Sequence, residues 1–185
     1  MKTKFFIAII LFAFAANIRA NDVVRNNYDD IGGFFETASN VESPNVEYFY
    51  ISKAMLALTR GKVNVSGVKE GLNLDDFYNK IDFIRSVAVT ANTSAKEQNL
   101  LEGAEGLAKR VYKQYDYLNL MVSSEGGRRA YIFYKYGEGG LCSLLVVVTK
   151  KKELPGGQTA LDFARVLLMG GTFRVEDIPM LITNF

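Results

Sequence analysis

Apolar and polar residues alternate from Lys80 to Val89, with Ile81, Phe83, Val87 and Val89 on one side and Asp82, Ile84, Ser86 and Ala88 on the other. That two-residue period predicts a strand, with Arg85 the exception on its apolar side. The period then changes. Leu100, Ala104, Leu107, Ala108, Val111 and Tyr115 recur at helical spacing, and Ser94-Ala95-Lys96-Glu97 before them reads as a capping box. Glu97, Glu102 and Glu105 precede Lys109, Arg110 and Lys113, the order the helix dipole favours. Three strand-like runs follow, Tyr117 to Ser123, Arg129 to Tyr136 and Leu141 to Thr149. They are separated by Glu125-Gly126-Gly127 and by Gly137-Glu138-Gly139-Gly140, whose glycines suit tight hairpins. Lys150 to Gln158, with Pro155-Gly156-Gly157, predicts a further turn into a strand over Thr159 to Met169 that Gly170-Gly171 ends. An acid-started helix over Val175 to Ile182 closes the pattern.

The N-terminal half is patterned less sharply. Val24, Tyr28, Ile31, Phe35 and Ala38 have helical spacing, although Gly32 and Gly33 each cost that helix about 1 kcal/mol relative to Ala. Pro44 resets the chain, Val46 to Ile51 is β-branched and aromatic, and Ser52 can cap a short helix running through Leu58. Residues 60–75 read as loop. The order of elements predicts a single α+β domain over 21–185: a mostly antiparallel sheet of five or six strands, ending in a meander, with helices on one face.

The first twenty residues belong to a different pattern. Lys2 and Lys4 precede an unbroken apolar run of twelve from Phe5 to Ala16, and Asn17-Ile18-Arg19-Ala20 ends it in polar residues and a small one. This is the build of a secretory signal peptide cleaved near Ala20. A membrane span needs about twenty apolar residues, so the run is too short to anchor the protein, and no Cys follows it to accept a lipid. The expected location is therefore exported, in the periplasm or at the outer membrane.

Cleavage changes the charge balance. Losing Lys2, Lys4 and Arg19 takes the 22 basic residues to 19 against 20 acidic, which leaves no overall basic field to argue for nucleic acid or an anionic membrane surface. A lone Cys142 permits no internal disulfide even in an oxidising compartment. It sits in the apolar run Leu141 to Val148 and reads as a small buried hydrophobe.

The sequence contains no His, which removes Ser-His-Asp, Cys-His and ordinary zinc chemistry together. Ser66-Gly67-Val68-Lys69 has the S-x-x-K spacing, without its companion motifs and within a loop. Asp29-Asp30 and Asp75-Asp76 pair carboxylates, but sequence neighbours diverge on a helix and point to opposite faces of a strand, so they do not converge as a glycosidase pair does. Gly137 to Gly140 joins two strands rather than opening a helix, so it is a turn and not a phosphate loop. Lys150-Lys151-Lys152 reads as a charged turn, or else as a contact for a polyanion or membrane. No catalytic residue, cofactor or metal is expected.

Ten Tyr and thirteen Phe, with no Trp, supply the positive feature. Alternation puts Tyr48 and Tyr50 on one face of the first strand, Tyr117 and Met121 on one face of a later strand, and Tyr131 and Phe133 on one face of the next. With helices covering one side of the sheet, these six residues either form an aromatic and Met-rich surface on the other, suited to a partner protein or a small apolar ligand, or pack their rings under loops or the first helix.

The run Tyr48-Phe49-Tyr50-Ile51-Ser52-Lys53-Ala54-Met55-Leu56 resembles the domain-of-unknown-function 4252 family of small exported proteins of Bacteroidetes-type bacteria. The strand start Lys80-Ile81-Asp82, the segment Tyr115 to Val122, the strand Leu144 to Val148, and Gly171 with Glu176-Asp177-Ile178 resemble it too. The likeness covers residues 25–182 and implies location and fold without catalytic residues. Some members carry a lipoprotein cysteine, which this chain lacks. The function expected is a non-catalytic binding module of the cell envelope. The alternatives are an envelope-polymer hydrolase working through carboxylates or Ser-Lys, and an envelope-stress regulatory component, which the resemblance alone suggests.

Overall fold

A computed structural model describes residues 29–59, 79–91 and 94–178. The elements run α1 (Asp29–Ser39), β1 (Val46–Ser52), α2 (Lys53–Thr59), β2 (Ile81–Thr90), α3 (Ala95–Gln114), β3 (Leu118–Glu125), β4 (Arg128–Tyr136), β5 (Cys142–Glu153) and β6 (Thr159–Gly171). Short 3₁₀ turns lie at Glu138–Gly140 and Val175–Asp177. The strands form one six-stranded sheet in the order β1-β2-β6-β5-β4-β3, and every neighbouring pair is antiparallel. The α+β fold with a C-terminal meander is thus the one the patterning predicts. The signal segment, the 60–75 loop, Ser66, Lys69, Asp75 and Asp76 lie outside the described residues, as does the first part of the helix expected from Val24.

Each central strand buries both faces, and the sheet accordingly carries two cores. On one face α1 and α3 contribute Ile31, Phe35, Leu100, Leu101, Ala104, Leu107 and Val111, which meet Val87, Val89, Phe133, Leu145, Val147, Val166 and Leu168 of the strands. On the other, Leu56 of α2, Phe173 and Ile178 join Ile51, Ile132, Tyr134, Leu144, Val146, Leu167 and Met169. The two long helices share a face, as expected, while α2 and the chain's closing turn pack on the reverse. We call these the helical face and the reverse face. This arrangement explains why Cys142 to Thr149 is buried throughout: a strand covered on both sides reads as a continuous apolar run.

Three local features depart from the sequence expectation. Ser94 caps α3 in extended conformation without a side-chain bond. The Glu97 side chain, in the first turn of α3, instead reaches the loop before β1, where its Oε1 accepts hydrogen bonds from Ser43 Oγ and, at 3.2 Å, Asn45 Nδ2. Lys150 to Lys152 belong to β5 rather than to a turn, since β5 pairs with β6 as far as Glu153↔Thr159. Their charge is absorbed partly by Glu105 of α3, 2.9 Å from Lys151 Nζ, and Asp162, 2.9 Å from Lys152 Nζ. The bond from Lys151 holds the Glu105 carboxyl below its ordinary value. Finally, Gly170 and Gly171 continue β6 instead of ending it.

The β3–β4 hairpin keeps the predicted turn. Gly126 and Gly127 take φ of 55° and 76°, the two successive positive values that a two-residue turn matched to strand twist requires.

Candidate functional site

At one margin of the sheet β3 has β4 on one side and, among the described residues, no strand on the other. All eight of its residues are exposed, including Leu118 at 54%, Leu120 at 39%, Met121 at 39% and Val122 at 54%. Leu118 to Ser124 carries no charge, and Asp116 and Glu125 bracket that neutral run with acid. A margin strand leaves a row of backbone N–H and C=O groups outside the ladder, which an extended chain can complete. Charged side chains, prolines and shortness usually blunt such strands, and β3 has none of them between Leu118 and Ser124.

A bulge shapes this margin. Leu118↔Tyr134 and Asn119↔Phe133 are partners, but the next partner of Ile132 is Met121, so Leu120 is the inserted residue. After it the side chains change sides. Met121 joins the reverse face with Ile132, whereas Val122 lies with Tyr131 on the helical face. The exposed apolar surface extends past the strand to Tyr136 and Leu141, 64% and 50% exposed.

The six residues singled out from the sequence separate on this frame. Tyr48 and Tyr50 pair with Val87 and Arg85 on the helical face. Tyr117 and Phe133 are buried there, and Tyr131 packs against the same core. Of the two alternatives, the open aromatic surface is therefore corrected and packing of the rings beneath the helices is the one observed. The rings of Tyr131 and Phe133 stack at 6.1 Å and 3° beneath the helical layer, and Tyr117 shares a 2.6 Å hydrogen bond with Ser143. Met121 alone is exposed, and the bulge separates it from Tyr117. Alternation holds within β1, β4 and β2 from Phe83 onward, but it fails across the two bulges, which turn Met121 away from the side of Tyr117 and Ile81 away from the side of Phe83, Val87 and Val89, and it could not say which face the helices choose.

Arg85, the anomaly on the apolar side of β2, lies 5.1 Å from the centre of the Tyr50 ring and 5.8 Å from that of Phe83. The rings offer their negative faces to the guanidinium and account for its tolerance there. Burial raises the Tyr48 hydroxyl above its ordinary pKa, and the charge of Arg85 partly offsets that.

Reactive chemistry is sparse among the described residues. Cys142 is buried, with its thiol facing the Phe173 carbonyl, and burial pushes the thiol pKa up. That is the opposite of an activated thiolate. Asp29 and Asp30 open α1. No group of three or more His, Cys, Asp or Glu that could hold a metal occurs among the described residues, nor does any helix there have the length and apolarity to cross a membrane. A groove of about 360 Å³ between α1 and α3, lined by Phe34, Thr37, Asn99, Leu100 and Arg110 among others, contains none of the six residues.

A family model described as a domain of unknown function, DUF4252, matches residues 35–181. No curated protein matches the chain.

Proposed function

The chain belongs to the DUF4252 family, a domain of unknown function, and from that premise we propose that it is an exported, non-catalytic module of the cell envelope that binds an extended strand of another protein along β3. The observation that carries this reading is the exposed, uncharged run Leu118–Ser124 on a strand that, among the described residues, has one neighbour instead of two. Pairing there extends the backbone ladder and covers apolar side chains on both faces at once. Export rests on the basic, apolar and small-residue pattern of residues 1–20.

The flanking acids select the partner. Full antiparallel overlap of two copies of β3 (Leu118–Glu125) sets Glu125 of each opposite Leu118 of the other, with Asp116 of that copy two residues further along, so acids gather at both ends of the pair, and like charges close across strands are destabilising. A strand that is apolar in its middle and basic or neutral at its ends fits better. A photo-crosslinking residue placed at Met121 should trap one discrete partner in intact cells, whereas the same residue at Glu36, exposed on α1, should not. Leu118→Lys with Val122→Lys should remove the adduct while the protein still melts cooperatively. Equal trapping at both positions, or an adduct indifferent to the two lysines, overturns the reading.

A further inference from the structure

Where the meander's hairpins end, the reverse face of the sheet carries three cations close together. Arg128 of β4 and Lys150 of β5 are direct cross-strand partners. Phe163 of β6 is in turn the partner of Lys150, and Arg165 lies two residues along, beside Val148. No bulge falls between these positions and the buried reverse-face residues Ile132, Val146 and Leu167, so all three basic side chains rise from that face. The Arg165 guanidinium is 5.7 Å from the centre of the Phe163 ring, which orients it along the sheet.

Arg128 and Lys150 are exposed, and no carboxylate among the described residues is within 4.0 Å of either. Two acids are nearby without that contact. Glu125 faces Arg128 from β3, and Glu47 faces the row of Arg165 from β1 through Ala88. The other lysines of the run differ from Lys150, since Lys151 and Lys152 have Glu105 and Asp162 as partners.

Like charges directly opposite on a sheet cost stability. The arrangement becomes favourable once an anion sits between them, because each cation then gains a charge-assisted hydrogen bond. We propose that Arg128, Lys150 and Arg165 form a binding site for a phosphate group on the reverse face of the sheet. Guanidinium groups suit the planar, forked recognition of phosphate oxygens, and the lysine adds a mobile point charge. Burial depresses the Arg165 pKa, with Glu47 opposing and Arg128 adding to that effect, so the field of Arg128 reaches Arg165. The site is independent of strand pairing at β3: it uses side chains of β4, β5 and β6, and stands or falls without the partner strand.

The test uses the chain from Asn21 onward, with inorganic phosphate in one arm and vesicles of phosphatidylcholine with or without phosphatidic acid in the other. The doubly substituted Arg128→Ser/Lys150→Ser protein should lose roughly tenfold or more in affinity for whichever probe the parent binds. A control of equal charge change, Lys96→Ser/Lys113→Ser on α3, should stay within about twofold. Thermal unfolding in phosphate-free buffer checks the fold, and there the site variant should be as stable as the parent or more so. Binding of free phosphate identifies a soluble ligand, and binding only to vesicles that contain phosphatidic acid identifies a lipid headgroup. Failure of the parent to bind either probe at millimolar phosphate or lipid, or equal losses in the site and control variants, overturns the proposal.

Discussion

Lys80, immediately before β2, holds both carboxylate oxygens of Asp177 at 2.8 and 3.0 Å from its Nζ. The Arg174 amide donates to the same carboxylate at 2.7 Å. Asp177 lies in the 3₁₀ turn after β6, so this ion pair fastens the closing segment to the strand it passes. Burial alone would raise the Asp177 pKa, but the Arg174 amide and the Lys80 ammonium outweigh it, and the net shift is downward.

The sign of the pH effect follows from that shift. A carboxyl group with a depressed folded-state pKa contributes stability that is complete above its unfolded value, about 3.9, and is lost as pH falls through the folded value. Asp177→Asn should therefore lower stability near neutrality by about 1–2 kcal/mol, a figure kept small because Lys80 is partly exposed. The variant and the parent should converge as pH falls through the depressed folded-state value of Asp177. Melting temperatures measured across the acid range test this, and a constant difference at every pH would remove the carboxylate from the account.

Gly170 and Gly171 should fail differently when changed to Ala. A Cβ on Gly171 would sit 2.0 Å from the Lys80 carbonyl oxygen, which is backbone, whereas one on Gly170 would meet the Phe83 ring at 2.4 Å. Each clash costs about 1–3 kcal/mol. Shortening Phe83 to Leu should return part of the loss in Gly170→Ala and none of it in Gly171→Ala. Urea unfolding of the two singles and the two doubles measures the coupling, and equal rescue of both would contradict the geometry.

The capping residues of α3 give a sharper contrast. A capping box predicts that Ser94→Ala costs about 1 kcal/mol. With no side-chain cap bond present, the expected cost is below about 0.5 kcal/mol, the range of ordinary surface changes. Glu97→Ala removes the acceptor shared by Ser43 and Asn45 in a site where Glu97 is 2% exposed, and should cost about 1–3 kcal/mol. Chemical denaturation of the two variants ranks them, and a larger loss for Ser94→Ala would restore the box.

The same residues show what the sequence could carry. The period of β2 from Phe83 onward, the apolar stripe of α3 and the glycine turns of the meander were legible because each is set by neighbours in the chain, whereas the bulge that turns Ile81 to the reverse face was not. Glu97 was placed at the right position and misread in its role, since Ser43 is a distant partner that only the fold brings close. Lys150 to Lys152 suggested a turn by charge, yet β5 keeps them in its ladder because β6 pairs with it as far as Glu153↔Thr159, although β4 reaches only Lys150. The inserted residue at Leu120 leaves no periodic trace in a run of apolar side chains, and it alone moves Met121 to the reverse face. The choice of face by α1 and α3 decides whether Tyr131 and Phe133 are core or surface, and that choice is made by packing across the whole sheet.

Asp116 joins α3 to β3 with φ of 55°, a left-handed conformation just past the helix C-cap at Tyr115. Glycine is the usual residue at that position because a Cβ there crowds the following carbonyl. Asp tolerates it better than most residues through its short polar side chain. Asp116→Gly relieves the crowding but enlarges the unfolded chain's freedom, and the two effects largely offset. The expected result is a gain of about 0.5 kcal/mol or less, whereas Asp116→Ala, which has neither the freedom of Gly nor the polar contacts of Asp, should lose about 1 kcal/mol. Because this residue sets the direction in which β3 leaves α3, the Ala variant should also loosen the margin strand. Amide exchange in Leu118–Ser124 should then rise with Ala and stay unchanged with Gly, and protection that is indifferent to both would separate the strand's order from the turn that feeds it.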